Sequence, residues 1–333
     1  MLGKFKAATV QTSAVYFDIE ATIDKACKLI AEAASNGAEL VAFPEVFICA
    51  YPYWNWIMNP VQGSKWFKKL YENSISVDDP RLQKLFDAAR LHNINVVIGI
   101  NEKDKRKTGT IYNTNLIISN EGQLLGRHRK LVPTWAEKLT WTGGDGSSLK
   151  VYDTSVGPLG TLACGENTNT LARFALISQG ELIHIANYIS LPVAPVDYNM
   201  AEAIKIRAAA HSFEGKLYTI ISCSTINEDI IKLFEEENPE CRNLFKRENS
   251  AFSGFIDPNG QVIGEPLIDK EGIAYAEIDL SACIQPKQMH DILGHYNRFD
   301  IFDFKVNTTP QTPAHFYEIT EEQDNIKNQT YGN

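Results

Sequence analysis

The chain has 333 residues, 44% hydrophobic and 22% charged, enough for one large domain or two smaller ones, and it is not composed like a disordered segment. Its net charge of −9 argues against nucleic acid as a partner, because phosphate binding needs clustered Lys and Arg. No apolar run reaches the roughly 18–20 residues that cross a bilayer, so no membrane association is expected. The start, Met1-Leu2-Gly3-Lys4-Phe5-Lys6, lacks a signal-peptide apolar segment, and a cytoplasmic protein is expected. Cys27, Cys49, Cys164, Cys223, Cys241 and Cys283 are scattered without a C-x-x-C pair, which fits reduced thiols rather than a disulfide framework. The seven histidines show no metal-ligand spacing, so neither a metal nor a cofactor is expected.

Strands and helices alternate along the chain. Phe5 to Gln11 reads as a strand. Ile23, Ala26, Cys27 and Ile30 recur at helical spacing, with Gly37 as the stop. Leu40 to Phe43 reads as a strand buried on both faces and closed by Pro44-Glu45. Asp79-Pro80 opens a helix to about His92, and Asn95 to Ile100 is a buried strand. Tyr112 to Ser119 and Leu124 to His128 form a hairpin around Asn120-Glu121-Gly122-Gln123. Val151 to Asp153 and Leu159 to Ala163 are strands, and Thr168 to Gly180 is a helix. Leu182 to Ala186 is a strand, Asp197 to Glu214 a helix and Leu217 to Ser224 a strand. Phe252 to Asp257 and Gln261 to Gly264 flank Pro258-Asn259-Gly260 as a second hairpin, and Ile273 to Asp279 closes a sheet.

This mixture predicts an α/β (α+β) protein whose sheets are covered by helices on their outer faces. No composition break divides the chain, so a single domain over residues 1–303 is expected. The charged stretch Asn227 to Glu248 reads as a peripheral insertion. Residues 304–333 read as a polar tail, either disordered or used in oligomer contacts.

Several reactive residue types end strands or hairpins. Cys164 follows the apolar run Gly160-Thr161-Leu162-Ala163 and precedes Gly165-Glu166-Asn167. A cysteine there fits either a small core residue or a nucleophile at the carboxyl end of a sheet. The helix start that follows would favour a thiolate. Glu45 follows a buried strand and a proline, where a partly desolvated carboxylate becomes a usable base or simply caps a helix. Lys130 ends the run Gly126-Arg127-His128-Arg129-Lys130, and Glu137 lies seven residues on. Neither stands out alone.

Together these segments are far more specific. Phe43-Pro44-Glu45, then Arg129-Lys130-Leu131-Val132-Pro133-Thr134 with Glu137, then Cys164-Gly165-Glu166-Asn167, resembles the nitrilase superfamily of carbon–nitrogen hydrolases. The resemblance runs from about residue 5 to about residue 303. It includes Arg207-Ala208-Ala209-Ala210 with Phe213-Glu214-Gly215, Ile256-Asp257-Pro258-Asn259-Gly260, and the closing Glu271-Gly272-Ile273. It implies a nitrilase-like four-layer α-β-β-α sandwich that self-associates to a dimer or a larger, spiral oligomer. It also implies that Cys164 is the nucleophile, Glu45 the general base, Lys130 the cation and Glu137 a second carboxylate.

The implied chemistry suits these residue types. A free thiol has a pKa of roughly 8.5 and needs a base at neutral pH. Glu45 would take its proton, while Lys130 and the Gly165 N–H would stabilise negative charge on the substrate nitrogen or oxygen. Phe47-Ile48-Cys49-Ala50-Tyr51-Pro52-Tyr53-Trp54 and Gly294-His295-Tyr296-Asn297-Arg298-Phe299-Asp300 resemble elements of true nitrilases, which points to a small-molecule nitrile substrate. An amidase of the same superfamily and a catalytically silent oligomeric homologue are the alternatives. Many nitrilases carry Trp after the cysteine, where this chain has Gly165, so the site is locally smaller. Tyr51, Trp54 and Tyr188, with Gly165, are the expected substrate-binding residues; the aromatics equally suit packing of a loop or interface.

Overall fold

The computed structural model describes residues 2–316. Among the described residues, twelve strands form two six-stranded sheets. They are β1 (Lys4–Gln11), β2 (Leu40–Ala42), β3 (Asn95–Lys103), β4 (Ile111–Ile118), β5 (Leu124–Arg129) and β6 (Tyr152–Thr154), then β7 (Gly157–Ala163), β8 (Ile183–Tyr188), β9 (Tyr218–Cys223), β10 (Phe252–Ile256), β11 (Val262–Ile268) and β12 (Gly272–Asp279). The first sheet has the order β12-β1-β2-β3-β4-β5 and the second β11-β10-β9-β8-β7-β6. Each is parallel at its centre and antiparallel towards its edges. The helices are α1 (Ile19–Ser35), α2 (Trp54–Ile57), α3 (Pro60–Glu72), α4 (Gln83–Leu91), α5 (Thr170–Ile177), α6 (Met200–Gly215), α7 (Glu228–Glu235) and α8 (Cys241–Phe245). Among the described residues, no helix is long and apolar enough to cross a membrane.

The period-two alternation of the central strands explains the layering. In β3, Val96, Ile98 and Ile100 face the helix layer of Ile23, Ile30 and Leu85, while Val97 faces the other sheet. Phe5, Ala7, Leu40 and Ala42 of the first sheet meet Leu159, Ile183, Ile185 and Ile220 of the second in a common core. On the outer face of the second sheet, Met200, Ala201, Ile204 and Ala208 of α6 cover Ala186 and Ile221. The result is the α-β-β-α sandwich implied by the sequence. Polar bonds also stitch the sheets together: Thr9 Oγ1 donates to the Ile221 carbonyl at 2.6 Å and Ser222 Oγ to the Val10 carbonyl at 2.7 Å.

Two expectations need correction. Asn227 to Glu248 is not peripheral: Ile230, Ile231 and Phe234 of α7 and Phe245 of α8 are buried against Tyr53, Trp54 and Trp66. The charges of this stretch lie on the outer faces, where Arg242 pairs with Glu235 and Glu228. The helix expected from Thr168 is preceded by a separate 3-10 turn, Cys164–Thr168. The tail up to residue 316 is exposed but not detached; Phe304 stacks edge-on against Phe174 at 5.2 Å, and the Gln311 N–H bonds Asp145 at 2.8 Å. The rest of the expected tail lies outside the described residues.

Candidate active site

Glu45 sits just beyond the end of β2, where the chain crosses the backbone of Gly99 in β3. A Cβ at Gly99 would meet the Val46 nitrogen at 2.3 Å, so only glycine admits this crossing. Val46 itself adopts a φ of +43°. The Glu45 N–H bonds the Tyr188 carbonyl at 3.3 Å, which joins the Glu45 turn to the end of β8 in the opposite sheet. Lys130 follows β5 directly, and its N–H bonds the Asn113 carbonyl of β4 at 2.8 Å. Glu137 lies in the short 3-10 turn Trp135–Leu139, where its Oε2 accepts the Thr134 N–H at 2.7 Å.

These elements bring the three charged side chains together in the interior. Lys130 Nζ donates to Glu45 Oε1 at 2.8 Å and to Glu137 Oε2 at 2.7 Å, with all three side chains essentially inaccessible to solvent. Burial on this scale is tolerable because one ammonium bridges two carboxylates. Asn113 Nδ2 donates to Glu45 Oε1 at 2.6 Å, which leaves Glu45 Oε2 without a hydrogen-bond partner. Burial pushes the Glu45 carboxyl up to about 7; Lys130 opposes that rise and Glu137 adds to it. Burial also works against the Lys130 charge, but Glu137 and Glu45 outweigh it and raise the ammonium well above its usual range. A base poised near neutrality and a permanent cation therefore sit side by side.

Cys164 stands at the first position after β7, with a φ of +49°, in the left-handed region that non-glycine residues seldom occupy. Its thiol is buried, and burial raises it well above the ordinary thiol value, with Glu45 and Glu137 adding to the rise and Lys130 opposing it. The expectation that the helix start favours a thiolate is therefore reversed. The group is a thiol at neutral pH and needs a base to react. Glu45, Lys130 and Cys164 share one electrostatic neighbourhood.

The expected substrate-binding residues separate. Tyr51 is at the site, donating its hydroxyl to Glu137 Oε1 at 2.9 Å while accepting Trp56 Nε1–H at 3.1 Å. Tyr188 packs in the same buried cluster as Cys164, and its hydroxyl has no partner. Gly165 faces Thr134: a Cβ there would lie 2.8 Å from Thr134 Oγ1. Trp54 is not at the site. It is buried in an aromatic cluster with Trp66 at 6.3 Å and Phe234 at 6.2 Å between ring centroids, because α2 turns its indole away towards α3 and α7. Two open clefts border the site and share Trp135. One, of about 250 Å³, is lined by Leu131, Thr134 and Gly165; the other, of about 440 Å³, by Trp56, Val193 and Arg247. A larger depression near Phe213, Lys216 and His290 holds none of the charged triad.

Sequence reasoning missed the residues that hold this arrangement. Asn113 was passed over, although a run of buried polar residues, Asn113-Thr114-Asn115, in an otherwise apolar strand was a usable signal. Glu166 and Asn167 belong to the Cys164-Gly165-Glu166-Asn167 motif, which by itself implies no role for either. Glu166 is buried, accepts the N–H of Leu131 at 2.6 Å and of Ala163 at 2.8 Å, and meets His128 Nε2 at 3.0 Å. A second buried group, Glu181, His184 and His211, brings ligand-type atoms within 4.8 Å of one another. No spacing rule reveals it, because His184 and His211 lie on β8 and α6.

The chain matches the Carbon-nitrogen hydrolase family over residues 6–288. It is 41% identical to an aliphatic nitrilase of Rhodococcus rhodochrous over 314 residues, covering 93% of this chain and 84% of that relative. It is 36% identical to a nitrilase of Bacillus sp. (strain OxB-1) over 334 residues, covering 99% and 96%. The fold is shared with the C. elegans NitFhit protein, at a TM-score of 0.71 and 21% identity over 93% of this chain and 69% of that one. It is also shared with Saccharomyces cerevisiae Nit3, a member of the nitrilase superfamily, at 0.67 and 23% over 86% and 93%. With its buried Glu–Lys–Glu arrangement beside a strand-end cysteine, this chain belongs to the carbon–nitrogen hydrolase family, on its nitrilase branch.

Proposed function

We propose that the protein hydrolyses an organic nitrile to a carboxylic acid and ammonia, with Cys164 as nucleophile. The observation that carries this reading is the unpartnered, buried Glu45 Oε2 beside a Lys130 ammonium shared with Glu137. Glu45 takes the thiol proton as sulfur attacks the nitrile carbon. One C≡N π bond breaks, its electron pair goes to nitrogen, and a proton completes the thioimidate. Water adds to that carbon, the C–N bond breaks, and ammonia leaves a thioester. Glu45 activates a second water, the C–S bond breaks, and the acid departs with the thiol restored. Lys130 and the Gly165 N–H stabilise the negative charge that develops at nitrogen and then oxygen. Glu137 holds Lys130 in place and, through Tyr51, borders the substrate.

The relatives at 41% and 36% identity support a nitrile rather than an amide as the substrate. The six cysteines, all free, support a cytoplasmic setting. Leu171 on α5 and Ile206 and Phe213 on α6 are exposed apolar residues on the outer helix layer, and they support self-association to a dimer or a larger spiral. Residues 1–303 serve as one catalytic domain in this reading, with 304–333 as a tail.

The test is turnover of a panel of aryl, arylacetic and aliphatic nitriles and the matching amides, with ammonia, acid and amide quantified. Acid and ammonia from at least one nitrile, lost in Cys164→Ala, is the expected result. Turnover of amides alone would replace the nitrilase reading with the amidase one, and no turnover of either class would leave a silent homologue.

A further inference from the structure

A buried chain of hydrogen bonds runs beneath the segment that carries Cys164. Asn167 Nδ2 donates to the carbonyl of Leu162 at 3.2 Å and to that of Cys164 at 3.0 Å. One side-chain amide thus grips both the last part of β7 and the backbone of Cys164. That backbone is left-handed, and a non-glycine residue stays there only when its surroundings over-determine it. Both Asn167 amide hydrogens are spent on these carbonyls. Its Oδ1 lies 2.8 Å from His184 Nε2.

His184 Nδ1 lies 2.7 Å from Glu181 Oε1, and the other carboxylate oxygen lies 2.9 Å from His211 Nε2. Both ring nitrogens of His184 therefore face oxygens that only accept. Both contacts are buried, so Glu181 and Asn167 together fix the plane of the His184 ring. Burial would raise the Glu181 carboxyl, but the two histidines draw it down to about 2. Burial and the charge of His184 lower His211 to about 4, so His211 is neutral and donates from Nε2. Every ligand-type atom that His184 and Glu181 present has a hydrogen-bond partner, so a metal is not needed to account for the group. Glu181 is also locked from the strand side: a Cβ at Gly160 of β7 would meet its Oε1 at 2.1 Å.

We infer that Glu181, His184 and Asn167 are positioning residues for Cys164. The buried Glu181–His184 hydrogen bond orients the Asn167 amide, and the amide holds the Cys164 carbonyl, which fixes the backbone that aims the thiol at Glu45. None of the three touches the substrate. The inference rests on the reading of Cys164 as nucleophile.

The test compares wild type with Asn167→Asp, Glu181→Ala, Glu181→Gln and Cys164→Ala as full-length proteins, with folding followed by circular dichroism. Asp at 167 keeps the acceptor for His184 but cannot donate to the carbonyls. Its kcat per folded molecule is expected to fall about 100-fold with KM within about 3-fold, the signature of a misplaced reacting group. Glu181→Ala is expected to fall likewise. Glu181→Gln can take over both bonds, its amide donating to one histidine and accepting from the other, and is expected to recover at least about tenfold of that loss. A second readout needs no substrate: the rate at which iodoacetamide alkylates Cys164, followed on the Cys164 peptide by mass spectrometry, is expected to drop about tenfold or more in Asn167→Asp. Unchanged kcat and unchanged alkylation in Asn167→Asp, or a loss confined to thermal stability, overturns the inference. Failure of the nitrilase reading looks different: full activity in Cys164→Ala, or no hydrolysis by wild type, with the alkylation arm still reporting on Asn167.

Discussion

Glu166 Oε1 accepts the backbone N–H of Leu131 at 2.6 Å, across a sequence separation of 35 residues. Its other oxygen accepts the N–H of Ala163 at 2.8 Å. One buried carboxylate thus ties the residue after Lys130 to the residue before Cys164, and the proposed cation and nucleophile are held in register by a side chain that takes no part in the chemistry. His128 Nε2 stands 3.0 Å from the same carboxylate; burial works against its protonated form, but Glu166 outweighs it and raises the imidazole above its ordinary range.

Replacing Glu166 with Gln should therefore harm both stability and turnover. One amide nitrogen would face a backbone N–H, and His128 would lose its carboxylate partner. We expect a loss of about 3–5 kcal/mol in unfolding free energy, the scale for breaking a buried ion pair. Folded variant should show a kcat about 100-fold lower. Urea unfolding and steady-state kinetics check this; a stable, fully active variant would remove the strap from the account.

The buried triad sets the pH profile. As the proposed base, Glu45 works only when ionised, and burial lifts its carboxyl to about 7. Activity should therefore rise with pH through an acid limb near 7, well above the ordinary carboxylate range. The limb belongs to the coupled Glu45, Lys130 and Glu137 group rather than to one residue alone. A kcat/KM profile between pH 5 and 9 on a hydrolysed nitrile checks it, and a limb near 4.5 would contradict the raised carboxyl.

Lys130→Ala should abolish turnover, but not by leaving the fold untouched. In the sequence Lys130 is one basic residue among three at the end of a hairpin, and its removal is expected to leave the fold intact. In the structure its ammonium lies between two inaccessible carboxylates, and deleting it leaves both uncompensated. We expect a destabilisation of about 3–5 kcal/mol at pH 8, shrinking towards pH 5 as the carboxyls take up protons. Thermal melts across that range decide the matter.

Gly165 and Thr134 should be energetically coupled. Thr134 Oγ1 occupies space that any side chain at 165 would need. Gly165→Ala should cost about 1–3 kcal/mol by overpacking. Thr134→Ala should relieve it, with a coupling of at least about 0.5 kcal/mol in a double-mutant cycle. Simple additivity of the two changes would mean that Thr134 does not exclude larger residues there.

Most of the layering was legible because the strands are short, apolar and separated by Gly, Pro and Asn turns. The proposed reactive residues were legible only together: Glu45 after β2, Lys130 after β5 and Cys164 after β7 each end an element and none stands out alone, but the ordered motifs around them resemble the nitrilase superfamily, which implies their roles. Their supports were not. Asn113 reaches Glu45 across 68 residues, and His211 reaches Glu181 across 30, so no local pattern joins them. Asn227 to Glu248 misled for another reason: its charges dominate the composition, while Ile230, Ile231 and Phe234 carry the buried helical face. Trp54 misled because an aromatic in a resembling motif gives no direction, and its indole turns into the core.

The most direct measurement of the central claim is the mass of the protein during turnover. Acid-quenched samples taken in the steady state with a hydrolysed nitrile should carry the substrate's acyl or imidoyl group on the Cys164 peptide, and the adduct should vanish in Cys164→Ala together with activity. Steady hydrolysis with Cys164 unmodified and replaceable by alanine would contradict the account.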